Sequence, residues 1–543
     1  MPIRSNLLVD EISEHSPIHE LEANEVLLRL WNRDHTLWSD SSDEIDNRLG
    51  WLDSPREMTK ALPAILEFAE DVRQDFSHVL LLGMGGSSLA PELFARVFGA
   101  FDGYPDLHVL DSTDPAAVLH YTKSLNPKDT LYIVSTKSGG TVETLSFFKH
   151  FYNQVNAAVG AAGAGSHFVA ITDPGSSLES LAGQYKFRKV FLNDPNIGGR
   201  FSALSYFGLV PAALLGIDVG AILEQARFAA HNDSPYSPRS LGLNMGALIA
   251  YALGMNRDKL TFIASPDLEP FVDWAEQLIA ESTGKAGVGI LPLLAETISD
   301  DTLYGPDRQF VALAFGDETG VVGRVANLRA PSLSLILDDE YDLGGLFFHW
   351  EVAVAIACHM MGVNPFDQPD VESAKRRAQE MVKAYQASGE LPPIDSAPLD
   401  IKSLESFLGT SEPGSYVALQ AFIQPTPAAT RALESLQTAI VHRTGMACTI
   451  GFGPRFLHST GQLHKGDGGK GLFIQFVSTP ETDVPIPDEA GKPDSSISFG
   501  VLKQAQAHGD ARALRDAGRK VITFTLAGND LDPILELADL LDP

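Results

Sequence analysis

The sequence predicts an α/β protein of three units: two three-layer αβα domains with parallel sheets, and a C-terminal α/β unit. Two observations carry this. From about residue 78 onward, short apolar runs alternate with helical patterns, the mark of βαβ units. Several of those runs also end abruptly in glycines and hydroxyls, as strands do at the ligand-binding edge of a parallel sheet. The 543 residues suffice for two or three domains with sizeable cores.

Residues 1–75 read as a helical segment, with Trp31, Trp38 and Trp51 as packing anchors. The first α/β domain spans 76–256, with strands expected at 79–82, 107–110, 130–135, 168–172 and 189–192 and a mostly helical stretch over 202–256. The second spans 257–386. Its strands are expected at 259–264, 287–293, 309–314 and 332–337, and its helices at 270–281, 344–361 and 370–386. Residues 387–415, rich in Pro, Ser, Gly and acids, read as a linker. The last unit, 416–543, has expected strands at 416–423, 446–450, 471–477 and 520–526 and a helix over 427–442.

Composition narrows the function. A hydrophobic content of 44% and a charged content of 20% are those of an ordinary globular protein. A formal charge of −30 argues against nucleic acid and against anionic membrane surfaces. It also requires that any anionic substrate meet basic groups concentrated in the site. The N-terminal stretch MPIRSNLLVDEISEHSP lacks the apolar segment of a signal peptide, and no run of about eighteen apolar residues suggests a membrane span. A cytoplasmic protein is expected, with Cys358 and Cys448 as buried small hydrophobes.

The segment LYIVSTKSGGTVET, 131–144, is the most informative. An apolar strand ends in Ser135, Thr136, Lys137, Ser138, Gly139 and Gly140, and a helical pattern begins at Thr141. Backbone N–H groups at such a helix start favour an anion. The hydroxyls of Ser138, Thr141 and Thr144 and the charge of Lys137 add to that preference. A nucleoside triphosphate is not indicated, because GxxxxGK[ST] is missing. A second loop, GMGGSSLAP at 83–91, offers Gly86 and Ser87. It is no dinucleotide fingerprint, since GxGxxG fails at Ser88.

Further motifs are NIGGRFS at 196–202, ESTGK at 281–285, GVNPFDQPDVE at 362–372, and RLWNR, NRLGWL and LHSTGQLHK at 29–33, 47–52 and 457–465. GMGGSSLAP, STKSGGTVET, NIGGRFS, ESTGK and GVNPFDQPDVE, in this order, resemble the motifs of glucose-6-phosphate isomerases, most closely the isomerase half of bacterial bifunctional transaldolase/phosphoglucose isomerases, which RLWNR, NRLGWL and LHSTGQLHK resemble as well. The resemblance implies two sugar-isomerase (SIS) domains, a sugar-phosphate substrate, a homodimer, and no cofactor or metal. It implies aldose–ketose isomerisation of D-glucose 6-phosphate and D-fructose 6-phosphate through a cis-enediol. The alternatives are an isomerase that also accepts mannose 6-phosphate, and a non-catalytic SIS-type regulator that binds a sugar phosphate.

That chemistry needs a base over C1 and C2, a cation at the developing enediolate oxygen, a group to open the ring and a phosphate anchor. Glu281, at the end of the apolar helical segment 274–280, suits the base. Arg200, after Gly198 and Gly199, suits the cation. Gln368 and Lys375, seven positions apart, can share a helix face, and by resemblance they line the sugar site. One departure stands out. Family members carry a ring-opening histidine in the loop after the catalytic glutamate, whereas this chain has none between Glu281 and His349. His349 itself lies in a run that matches a helix. His464 and, as second choice, His458 in the C-terminal motif are the expected substitutes. A second departure is Gly140, where the family commonly has threonine.

Overall fold

A computed structural model describes residues 4–8, 17–237, 240–297, 301–316, 319–328, 330–393 and 395–542. The first sheet holds His78–Leu82, Asp106–Leu110, Thr130–Ser135, Phe168–Thr172 and Lys189–Leu192, all parallel, with the first strand lying between the second and third. Its strands are apolar runs because both faces are covered. Successive residues feed opposite cores: Val79, Leu81, Leu131 and Ile133 face the large central cluster, and Leu80, Leu82, Tyr132 and Val134 face a second one. The strand order places the switch point between His78–Leu82 and Thr130–Ser135, so the two glycine-rich loops emerge side by side at the carboxyl edge.

The second sheet runs 4–8, 332–337, 308–315, 259–264, 291–294. Its last four strands are parallel and agree closely with the predicted ones, except that 287–290 precede the strand Leu291–Leu294. Arg4–Leu8 is a strand within a segment expected to be helical. It pairs antiparallel with Ser332–Leu337 and covers an edge that would otherwise expose unpaired N–H and C=O groups. Five residues are too few to show a period that sequence reading can use.

The helix Leu343–Met361 forms the spine of the central core, packed against Leu241–Gly254, Val219–Asn232 and Glu269–Thr283. The stretch Glu340–Met361 that includes it is long and apolar enough to cross a membrane by length and composition, but 89% of its apolar window is buried inside the protein. The anchoring tryptophans converge here. Trp38 donates to the Ala355 carbonyl at 2.9 Å, and Trp51 stacks on Phe201 and packs against Phe348.

The third domain is a four-stranded parallel sheet in the order 447–452, 416–422, 471–479, 520–527. The expected linker is not structureless. Asp400 caps the helix Ile401–Leu408 by accepting from Ser403 N at 2.8 Å, and Leu404 and Leu408 enter the third core. This domain is firmly docked. Val484, Ile486 and Phe499 insert into the core under the first sheet, where Phe499 stacks on Phe147 at 5.7 Å. Tyr416, Phe473 and Leu463 pack on Leu291 and Leu293 of the second sheet. Both cysteines are buried and free.

Candidate active site

The phosphate-type loop is built as its sequence suggests. Thr130–Ser135 is buried throughout, and the helix Val142–Val159 starts immediately after Thr141. Gly139 has φ +75°, and a Cβ there would lie 2.5 Å from Leu178 N, so only glycine makes this turn. Ser138 is exposed, and Thr141 Oγ1 lies 2.8 Å from Thr136 Oγ1. Thr144 Oγ1 is buried without a hydrogen-bond partner, an orphan that a ligand could satisfy. Lys137 departs from expectation. Its ammonium is taken by Asp173 and by the Pro195 carbonyl at 2.8 Å, so its charge is already compensated.

The neighbouring loop lies against this one and against the rest of the site. Ser135 Oγ donates to the Ser87 carbonyl at 3.3 Å. A Cβ on Gly86 would sit 1.9 Å from the Gly199 carbonyl oxygen, so the turn carrying Arg200 packs directly on the loop backbone. Arg200 is 5% exposed. Its Nη2 donates to the carbonyls of Pro365 at 2.6 Å and Asp367 at 2.9 Å, and its Nε to Ser282 Oγ at 3.0 Å. Its Nη1 lies 3.4 Å from Glu281 Oε2 and 3.4 Å from Gln368 Oε1. The ESTGK and FDQ segments are further stapled by Lys285, whose Nζ donates to Asn364 O at 2.6 Å and to Asp367 Oδ1 at 2.7 Å. Burial and the nearby Arg200 push the Lys285 pKa down.

Glu281 occupies the last turn of the apolar helix Glu269–Thr283 and is 6% exposed. Gln277, one turn earlier, donates to Glu281 Oε2 at 3.1 Å and to the His458 carbonyl at 2.8 Å. Sequence reading missed Gln277, although its i, i+4 spacing to Glu281 was visible.

The two C-terminal histidines part company. His458 stands on the turn Arg455–His458 and reaches the first domain, where its Nε2 lies 3.0 Å from Glu143 Oε1. Gln506 donates to the same oxygen at 2.7 Å. Glu143 is the second residue missed; it sits in the first turn after the phosphate-type loop. His464 lies elsewhere, 2% exposed, with its ring 4.9 Å from Phe473 and its Nδ1 3.3 Å from Gln420 Nε2. Its side-chain contacts among the described residues stay within the third domain. Burial, then Lys465 and Arg519, push its pKa well below the ordinary value. His349 is a buried partner of Asp233 at 2.7 Å. Lys375 falls on the helix Val371–Ser388, but its side chain lies outside the described residues.

The fold and site thus define a double αβα protein whose paired glycine-rich loops adjoin a buried arginine–glutamate pair, as in a sugar-phosphate isomerase. The phosphoglucose isomerase family model matches residues 19–286. The glucose-6-phosphate isomerase of Rubrobacter xylanophilus is 31% identical over 382 residues, covering 60% of this chain and 87% of the relative. That of Mycoplasmopsis pulmonis is 29% identical over 382 residues, covering 60% and 88%. Among solved structures, a hypothetical protein from Thermus thermophilus aligns with TM-score 0.60 at 25% identity, over 70% of this chain and 99% of that one. A glucose-6-phosphate isomerase from Chlamydia trachomatis shares the fold, with TM-score 0.53 at 20% identity over 68% and 79%. The chain belongs to the phosphoglucose isomerase family.

Proposed function

We propose that the protein interconverts D-glucose 6-phosphate and D-fructose 6-phosphate, a step of glycolysis and gluconeogenesis carried out in the cytoplasm. The single observation that carries this reading is the buried Arg200–Glu281 pair at 3.4 Å, adjoining the loop at 83–88. In this reading the substrate phosphate lies on the loop 135–144, helped by Ser87 and the backbone around Gly86. Glu281 carries a proton between C2 and C1. Arg200 is held through Nε and Nη2 by Ser282 and neutral carbonyls, and its Nη1 edge, which faces Glu281 and Gln368, is assigned to stabilise the enediolate oxygen. Gln368 lines the sugar site, and Lys375 is assigned there with it. His458, oriented by Glu143, opens the ring, taking the place of the histidine absent after Glu281. The ring-opening role is moved from His464 to His458, because His464 is only 2% exposed and its ring packs on Tyr416, Phe456 and Phe473.

The test is an assay of fructose 6-phosphate formation from glucose 6-phosphate by the purified chain. Turnover in the range of ordinary enzymes, roughly 1–10³ s⁻¹, is expected. No turnover in a folded protein that still binds the sugar phosphate would instead favour a non-catalytic regulator.

The phosphate anchor is tested separately. Ser138→Ala and Thr141→Ala should each weaken glucose 6-phosphate binding by ~1–3 kcal/mol, the worth of a hydrogen bond to a charged group. Competition with inorganic phosphate should weaken in parallel. If both variants bind like the parent, the phosphate sits elsewhere.

A further inference from the structure

The turn that presents His458 comes from a different domain than the groups it must meet, so something has to hold it in register. We propose that Arg455 is a positioning residue that clamps this turn onto both sugar-site domains and so delivers His458 to the substrate from within the same chain. The inference rests on the assignment of ring opening to His458.

Arg455 lies at the opposite end of the same short turn, Arg455–His458. Its Nη2 pairs with Glu92, its Nη1 lies 3.1 Å from Asp111 Oδ2, and its Nη2 is 3.8 Å from Asp273 Oδ2. These acids are not arbitrary pieces of surface. Glu92 is in the first turn of the helix Leu89–Phe98, which opens directly after the loop 83–88. Asp111 follows the strand Asp106–Leu110, next to the strand that feeds that loop. Asp273 lies two turns before Glu281 on the helix that carries it. One guanidinium fork therefore reads the position of the phosphate-side loop and of the base helix together. Beyond His458, Ser459 Oγ donates to Glu276 Oε1 at 3.0 Å, and the His458 carbonyl accepts from Gln277, which also holds Glu281. The turn is thus tied down on both sides of the histidine, to elements bordering the loop 83–88 and to the helix that carries Glu281.

The experiment uses the full chain. Arg455→Lys keeps the charge and loses the fork. Removing the charge outright would strand the buried carboxylate of Asp111, so the second variant is Arg455→Met combined with Asp111→Asn. Each is compared with the parent and with His458→Ala for turnover of cyclic glucose 6-phosphate. Deuterium exchange at C2 of an open-chain analogue, followed by NMR in heavy water, reports the enolisation step alone. The proposal expects both Arg455 variants to lose ~10- to 100-fold in kcat on the cyclic substrate, the effect of displacing a reacting group by about an ångström. Substrate KM and open-chain exchange should remain those of the parent. Normal ring turnover in both variants, with His458→Ala impaired, would overturn the clamp. So would a parallel fall of ring turnover and open-chain exchange, which would mark a role in the fold at large. If His458→Ala itself handles the cyclic substrate normally, the ring-opening assignment falls first and the clamp with it.

Discussion

Glu281→Gln is expected to lower turnover by ~10²–10⁴-fold while leaving glucose 6-phosphate binding nearly intact. The substitution keeps the size of the side chain and its carbonyl-type oxygen, so the hydrogen bond from Gln277 at 3.1 Å can persist. What is lost is basicity and the negative charge facing Arg200 at 3.4 Å. Because the pair is buried, the loss of one charge also costs stability, and Tm should fall with activity but far less steeply. The measurement is kcat together with direct binding by calorimetry. A folded Glu281→Gln protein with near-parental kcat would remove Glu281 from the proton-transfer role.

The second large effect concerns His458. His458→Ala should impair turnover of cyclic glucose 6-phosphate by ~10²-fold or more, as expected for loss of a general acid/base. Proton exchange at C2 of an open-chain analogue should survive, since Glu281 and Arg200 are untouched. His464→Ala is the contrasting variant. It opens a cavity beside Phe473 and should lower Tm without this ring-selective defect. Parental ring turnover in His458→Ala would assign ring opening to another group, such as Lys375 or water, and leave the third domain a structural or assembly role.

Much of the fold was legible because its signals are local. Buried parallel strands are short continuous apolar runs, and those from Thr130–Ser135 and Ser332–Leu337 lie where their composition places them. The edge strand Arg4–Leu8 and the ribbon of Pro485–Ile486 with Ile497–Ser498 carry no comparable run. They exist because an open sheet edge and an uncovered core face were available to them. The helix Ile401–Leu408 hid inside a Pro- and Ser-rich stretch, where its Asp400 cap was the one available sign.

The same division holds for the site. The sequence by itself determined the loops: an apolar strand, closely spaced glycines, and hydroxyls at a helix start are properties of neighbouring residues. It also marked Glu281 and Arg200 as candidates through their motifs. Their meeting across 81 positions depends on the helix Leu343–Met361 and the central core, which bring the two domains together. The different settings of His458 and His464, six residues apart, are visible only in three dimensions. The short helix Gly461–Gly466 turns His464 into the apolar interior of its own domain, while the turn before it carries His458 across to Glu143, 315 positions away. Side chains that meet across domains are selected by how whole units dock, and docking follows from large buried faces such as Phe147 on Phe499, which no local pattern encodes.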